Sequence, residues 1–95
     1  MPRLSEEDIR QALAKLPDWS LAGQTIQRKF TLPSFAAAMA FVNQIAVAAE
    51  RANHHPDITI NYNLVTISLS THSESGVTRK DVELAAQIET IYHEP

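Results

Sequence analysis

Twice along the chain, apolar residues that recur at every second position give way to apolar residues that recur at every third or fourth. This change of period limits the fold more than any other feature of the sequence. Trp19 and Leu21 suggest a short strand, Ala22, Gly23 and Gln24 a turn, and Ile26, Arg28, Phe30 and Leu32 then alternate with polar neighbours. From Phe35 the spacing becomes helical. Phe35, Met39, Val42, Ile45, Ala46 and Ala49 mark one side of a helix of about 20 residues, roughly 30 Å long, opened by Pro33 and Ser34. The pattern then repeats: Ile58, Ile60 and Tyr62 alternate, Tyr62 and Asn63 make a tight connection, and Val65, Ile67 and Leu69 alternate again. After a loop from Thr71 to Val77, Leu84, Ala85, Ile88, Ile91 and Tyr92 stripe a last helix, with Thr78 and Asp81 spaced as a capping box. A first helix precedes all of this, capped by Ser5, striped by Ile9, Ala12, Leu13 and Leu16, and stopped by Pro17.

The predicted order is helix, strand, strand, helix, strand, strand, helix. Two hairpins, each followed by a helix and each with one polar face, predict an α+β fold: a four-stranded antiparallel sheet with three helices packed on one face. A chain of 95 residues suffices for one core, so residues 1–95 are expected to form a single domain.

Composition removes several functions. The formal charge is −3 and no basic run exceeds two residues, which argues against direct nucleic-acid binding. Without cysteine there is no disulfide, thiolate metal site or thiol nucleophile. The start of the chain, MPRLSEEDIR, lacks the apolar stretch of a signal peptide. The most apolar segment, FAAAMAFVNQIAVAA, is too short and too interrupted by Asn43 and Gln44 to span a bilayer. No membrane association and a cytoplasmic location are expected.

Residues 50–56, ERANHHP, concentrate the chemistry. His54 and His55 stand at the C-terminal end of the long helix, ahead of Pro56, where histidines commonly satisfy helix carbonyls. A hairpin that leaves this point must return to it, however, bringing Ser70, Thr71 and His72 back beside Asn53, His54 and His55. Capping does not require that third imidazole. Three histidines, with Glu50 adding a carboxylate, would suit zinc, but adjacent histidines diverge on a helix and the i, i+4 spacing of HExxH is missing. Acid–base chemistry needs only imidazoles that exchange protons near neutral pH. No nucleophile turn such as GxSxG is present, so proton transfer suits these residues better than covalent catalysis.

The run ERANHHPDITINYNLVTISLSTHSESGVTRKD resembles the pterin-4a-carbinolamine dehydratases. Glu50, His54, His55, Pro56, Tyr62, His72, Gly76 and Asp81 fall at that family's spacing, and the likeness extends over nearly the whole chain, including Trp19 and the RKF strand. The resemblance implies dehydration of 4a-hydroxytetrahydropterin to quinonoid dihydropterin, a step in recycling the pterin of aromatic amino acid hydroxylases. It implies no metal or other cofactor, and assembly as a homodimer or homotetramer. By the same resemblance His54 and His72 transfer protons and His55 binds and orients the pterin, while Asn53, Ser70, Thr71 and Ser73 line the site. Glu50, on the helical face of His54, is either a holder of that ring's tautomer or a solvated acid. Asp81 is either a partner of the site or a helix cap, and Trp19 either flanks the pterin or belongs to the core. One departure stands out: many relatives carry an aromatic residue where this chain has Ile58, which bears on the pocket rim or the subunit contact, and on the preferred pterin more than on the reaction. Some animal members also act as a dimerisation cofactor of a homeodomain transcription factor, a role that no residue here carries over. The alternative to an enzyme is a pterin-binding or protein-assembly module with little turnover.

Overall fold

Four antiparallel strands lie side by side in the order β1 (Ser20–Ala22), β2 (Thr25–Thr31), β4 (Leu64–Leu69), β3 (Asp57–Asn61). The computed structural model describes residues 2–94. In the two central strands Ile26 pairs with Leu69, Arg28 with Ile67 and Phe30 with Val65, and Ile58 and Ile60 of β3 flank Ile67 and Val65 from the other side. Because side chains opposite one another across a ladder share a face, all of these point the same way. That face is buried at Ile26, Phe30, Val65, Ile67 and Leu69. The opposite face presents Gln27, Lys29, Thr59, Thr66 and Ser68.

The helices α1 (Glu6–Leu13), α2 (Phe35–Ala52) and α3 (Arg79–His93) supply the other half of the core through Ile9, Ala38, Phe41, Ile45, Ala49, Leu84, Ala85 and Ile88. The architecture is the α+β arrangement that the two changes of period predict. Phe30 sits at its centre, 5.0 Å from the Phe41 ring, 4.9 Å from Tyr92 and 6.1 Å from Trp19. Contact with Phe41 fixes the rotation of α2, whose buried line is Ala38, Phe41, Ile45 and Ala49. The stripe read from the sequence is therefore turned: Phe35 is half-exposed and Ala46 lies outside. The small side chains Ala38 and Ala49 let the helix approach closely. Three strand readings also shift, the first being Trp19, which lies just ahead of β1. Leu32 falls beyond β2, its N–H donating to the Asn63 carbonyl at 2.9 Å, and Tyr62 occupies the β3–β4 turn at φ 52°, exposed to solvent.

Arg28 is a charge on the buried face. Its guanidinium pairs with Glu89 of α3 and lies 4.3 Å from the Phe30 ring centre, while Glu89 also accepts from Trp19 Nε1 at 2.8 Å. This cluster ties α3 and the segment before β1 to the sheet. Among the described residues, no helix is long and apolar enough to cross a membrane.

For the site, one feature of the register matters most. Asp57, at the start of β3, lies opposite Ser68, near the end of β4. Residues 53–56 and 70–73 therefore emerge together at one end of the sheet.

Candidate active site

α2 ends in a way that frees both imidazoles. Asn53 adopts the left-handed conformation (φ 50°, ψ 44°), its N–H donates to the Glu50 carbonyl at 3.2 Å, and the N–H of His54 donates to Ala49 at 3.1 Å. These two bonds form a Schellman motif, in which backbone amides satisfy the Ala49 and Glu50 carbonyls, while the His54 and His55 rings bond to carboxylates instead of capping the helix. Pro56, without an N–H, keeps the helix from resuming.

The returning hairpin delivers the third histidine. Thr71 N–H donates to the Gly76 carbonyl at 2.8 Å, closing a short 3-10 turn, His72–Glu74, on which His72 is exposed. The chain's start buttresses this loop: Leu4 N–H donates to Val77 O at 2.8 Å, and the Arg3 stem lies against Gly76 where a Cβ would come within 2.4 Å of Arg3 Cδ. A cavity of about 310 Å³ opens between the two segments. Asn53, His54 and His55 line one side, Ser70, Thr71, His72 and Ser73 the other, and Lys80 enters from the first turn of α3. Its volume lies at the lower end of the range for small-ligand sites. Larger hollows exist, including one of about 430 Å³ between α2 and α3, but the histidines converge only here, and chemistry decides over size.

Behind the cavity stands a fully buried carboxylate. Asp81 Oδ1 lies 2.5 Å from His54 Nε2, and Asp81 Oδ2 accepts from Thr78 N–H at 2.8 Å and Thr71 Oγ1 at 2.9 Å. The protons in this cluster have one consistent arrangement. A carboxylate only accepts, so Thr71 donates to Asp81 and must receive, at 2.8 Å, the hydroxyl proton of Thr78, whose oxygen accepts the Lys80 N–H at 3.2 Å. Reversing the chain would strand a buried hydroxyl proton at a cost of about 1–3 kcal/mol. Facing a carboxylate, His54 therefore donates through Nε2 to Asp81, and in the neutral ring Nδ1 then carries the free lone pair. A buried acid that fixes the tautomer of an imidazole is the arrangement by which histidine is made ready for proton transfer.

The two readings open for Asp81 are thus both realised, since it completes the Thr78 capping box and holds His54. Glu50 does not hold His54: it meets the exposed His55, Oε2 to Nε2 at 2.5 Å, because the left-handed Asn53 swings the chain so that His55 returns over the last helical turn. Trp19 does not flank the cavity. It is buried against Phe30 and its N–H is taken by Glu89. Ile58 packs toward the core and is absent from the cavity wall. Two residues were missed from the sequence. Thr78 signalled only a helix cap, and Lys80, next to the capping-box acid, showed its place only once α3 was set beside the histidine loop. Among the described residues no three His, Asp or Glu side chains converge as a metal-ligand set.

Fold and cavity together define a class of small protein: a one-sheet α+β sandwich with a histidine-lined cavity at a sheet end and a buried carboxylate behind it. Comparison with known proteins narrows the class. The chain belongs to the pterin 4 alpha carbinolamine dehydratase family, whose model matches residues 2–91. It is 54% identical over 91 residues to a Chloroflexus aurantiacus protein named provisionally as a pterin-4-alpha-carbinolamine dehydratase, covering 96% of this chain and 98% of that one. Its structure is similar to that of a transcriptional coactivator/pterin dehydratase from Brucella melitensis, with a TM-score of 0.92 and 37% identity over 95% of this chain and 98% of the other. A pterin dehydratase-like RuBisCO assembly factor of the alpha-carboxysome shares the fold alone, with a TM-score of 0.66 and 19% identity over 81% of this chain and 89% of that one.

Proposed function

We propose that residues 1–95 act as one catalytic unit, a hydro-lyase that removes water from 4a-hydroxytetrahydropterins to give quinonoid dihydropterin in pterin cofactor recycling. The observation that carries this reading is the pairing of His54, its tautomer set by buried Asp81, with His72 in the wall of the same cavity. In the reaction the C4a–O bond breaks, the N5 electron pair forms the C4a=N5 double bond, and the N5 proton is lost. The departing hydroxyl needs an acid and the N5 proton needs a base. His54, with Nδ1 free, serves as the base, and His72 as the acid. His55 orients the ring, and Asn53, Ser70, Thr71 and Ser73 offer the neutral hydrogen-bonding groups that a pterin's amide and amine edge requires. No covalent intermediate, metal or redox cofactor enters this scheme.

The protein is proposed to work in the cytoplasm as a homodimer or homotetramer. The alternative is a binding or assembly module with little turnover, for which the fold shared with an assembly factor is the motive. Stopped-flow dehydration of freshly generated 4a-hydroxytetrahydropterin, with and without chelator, separates the two. Chelator-resistant acceleration that falls by about 10²-fold or more in His54→Ala and His72→Ala supports the enzyme. Acceleration unchanged in both variants would refute the assignment, and no acceleration at all would favour the module.

A further inference from the structure

Among the described residues, the wall of the histidine cavity contains no carboxylate. Two acids stand behind its histidines without lining it, Asp81 bonded to His54 and Glu50 to His55. What lines the cavity is three imidazoles, four neutral polar residues and the cationic Lys80, so the wall is neutral or positive in a chain whose net charge is −3.

Lys80 is also placed against a local rule. It is the second residue of α3, directly after Arg79, and cations at the start of a helix oppose its dipole. The first turn of α1 shows the usual solution, Glu6, Glu7 and Asp8, whereas α3 sets against Arg79 and Lys80 only Asp81, whose oxygens are taken by His54, Thr71 and Thr78. Among the described residues, no carboxylate lies within ion-pair distance of Lys80 or Arg79. A cation that weakens its own helix, neutralises no neighbour and stands in a cavity wall is accounted for by something that enters the cavity. Lys80 is exposed, whereas His54 is largely buried, which sets an order along the cavity: imidazole within, ammonium at the rim.

We propose that Lys80 determines specificity by recognising pterins whose side chain ends in an anion, either a carboxylate or a phosphate monoester. The inference rests on the reading of this cavity as a pterin site and adds the substrate class. The bicyclic ring lies against His54 and His72, and the side chain runs outward to the ammonium. A lysine accepts either anion because it acts as a point charge, without the paired geometry that arginine imposes.

The test is fluorescence titration of the full chain with three probes: 6-hydroxymethylpterin, 6-carboxypterin and the phosphate ester of 6-hydroxymethylpterin. The wild type, Lys80→Gln and Lys80→Glu are compared at low and high salt. At low salt the wild type is expected to bind at least one anionic probe about fivefold more tightly than the neutral one, a gap that narrows with salt. Whichever anionic probe gains more identifies the source of the anion. Lys80→Gln removes the gap and Lys80→Glu inverts it. Equal affinities in the wild type, or a preference for anions that survives in Lys80→Glu, overturns the role of Lys80 while leaving the pterin site standing. Failure of all three probes to bind the wild type overturns the pterin reading itself.

Discussion

Asp81→Asn offers the sharpest test of the proton arrangement behind the cavity. The substitution keeps size and shape but exchanges one acceptor for an NH2 donor. Two donors, Thr78 N–H and Thr71 Oγ1, converge on the Oδ2 position, so the amide oxygen must settle there. The NH2 then faces His54 Nε2 across the 2.5 Å contact, which compels that nitrogen to accept and drives the ring proton to Nδ1. The lone pair proposed to take the N5 proton is lost. Misplacing the proton of a catalytic imidazole removes its general-base contribution, about 10²- to 10⁴-fold in kcat, or about 2.7–5.5 kcal/mol of barrier. Stability falls less. The capping bonds persist through the amide oxygen, and exchanging a charge-assisted bond for a neutral one costs roughly 1–2 kcal/mol. The assay is stopped-flow dehydration well below the melting transition, with the His54 tautomer read from its ring nitrogen chemical shifts. A folded variant that retains the Nε2–H tautomer, or turns over within about threefold of wild type, would refute the reasoning.

Other outcomes follow from the same geometry. Glu50→Gln, which disturbs only an exposed contact with His55, is expected to shift stability by less than about 0.5 kcal/mol, and a thermal melt displaced by many degrees would contradict this. Glu89→Ala leaves the Trp19 N–H without its acceptor and Arg28 with only the exposed Asp18, 3.7 Å away, costing about 3 kcal/mol in a denaturant titration. Its kcat should stay near wild type while folded, and a large loss would mean that this cluster reaches the histidines. Gly76→Ala forces its methyl into the Arg3 stem and should destabilise the His72 loop. Arg3→Ala in the same chain should restore it, and a double variant no more stable than Gly76→Ala would show that the clash is not the cause.

Period alone was enough to place the sheet and helices, because alternation is a direct image of a half-buried strand. It failed where a residue's partner lies far away in sequence. Phe35 matches the helical stripe yet is half-exposed, since the rotation of α2 is set by Phe41 against Phe30 and Tyr92. That His54 and His72 line one cavity was legible because a hairpin must return to its origin. The partner of Glu50 was not, because sequence spacing treats the helix as continuing, whereas the left-handed Asn53 redirects the chain and brings His55 to the acid. From spacing alone, Asp81 is open to two readings, cap and site. A buried carboxylate with two oxygens serves both, Oδ1 facing His54 and Oδ2 the Thr78 N–H.

The buttress under the His72 loop bears on when the site comes into being. Arg3 Nη1 reaches the Ser75 carbonyl across 72 positions of sequence, and Leu4 joins Val77 beside it. Contacts of such long separation close a large loop and form late, after local hairpins and helices have reduced the entropy of the intervening chain. A chain emerging from the ribosome would hold His54 and His55 well before the loop bearing His72 had both of its supports. The proposed activity would then be among the last properties acquired, and its gain during refolding would report that the segment around Arg3 and Leu4 has met the loop at residues 75–77.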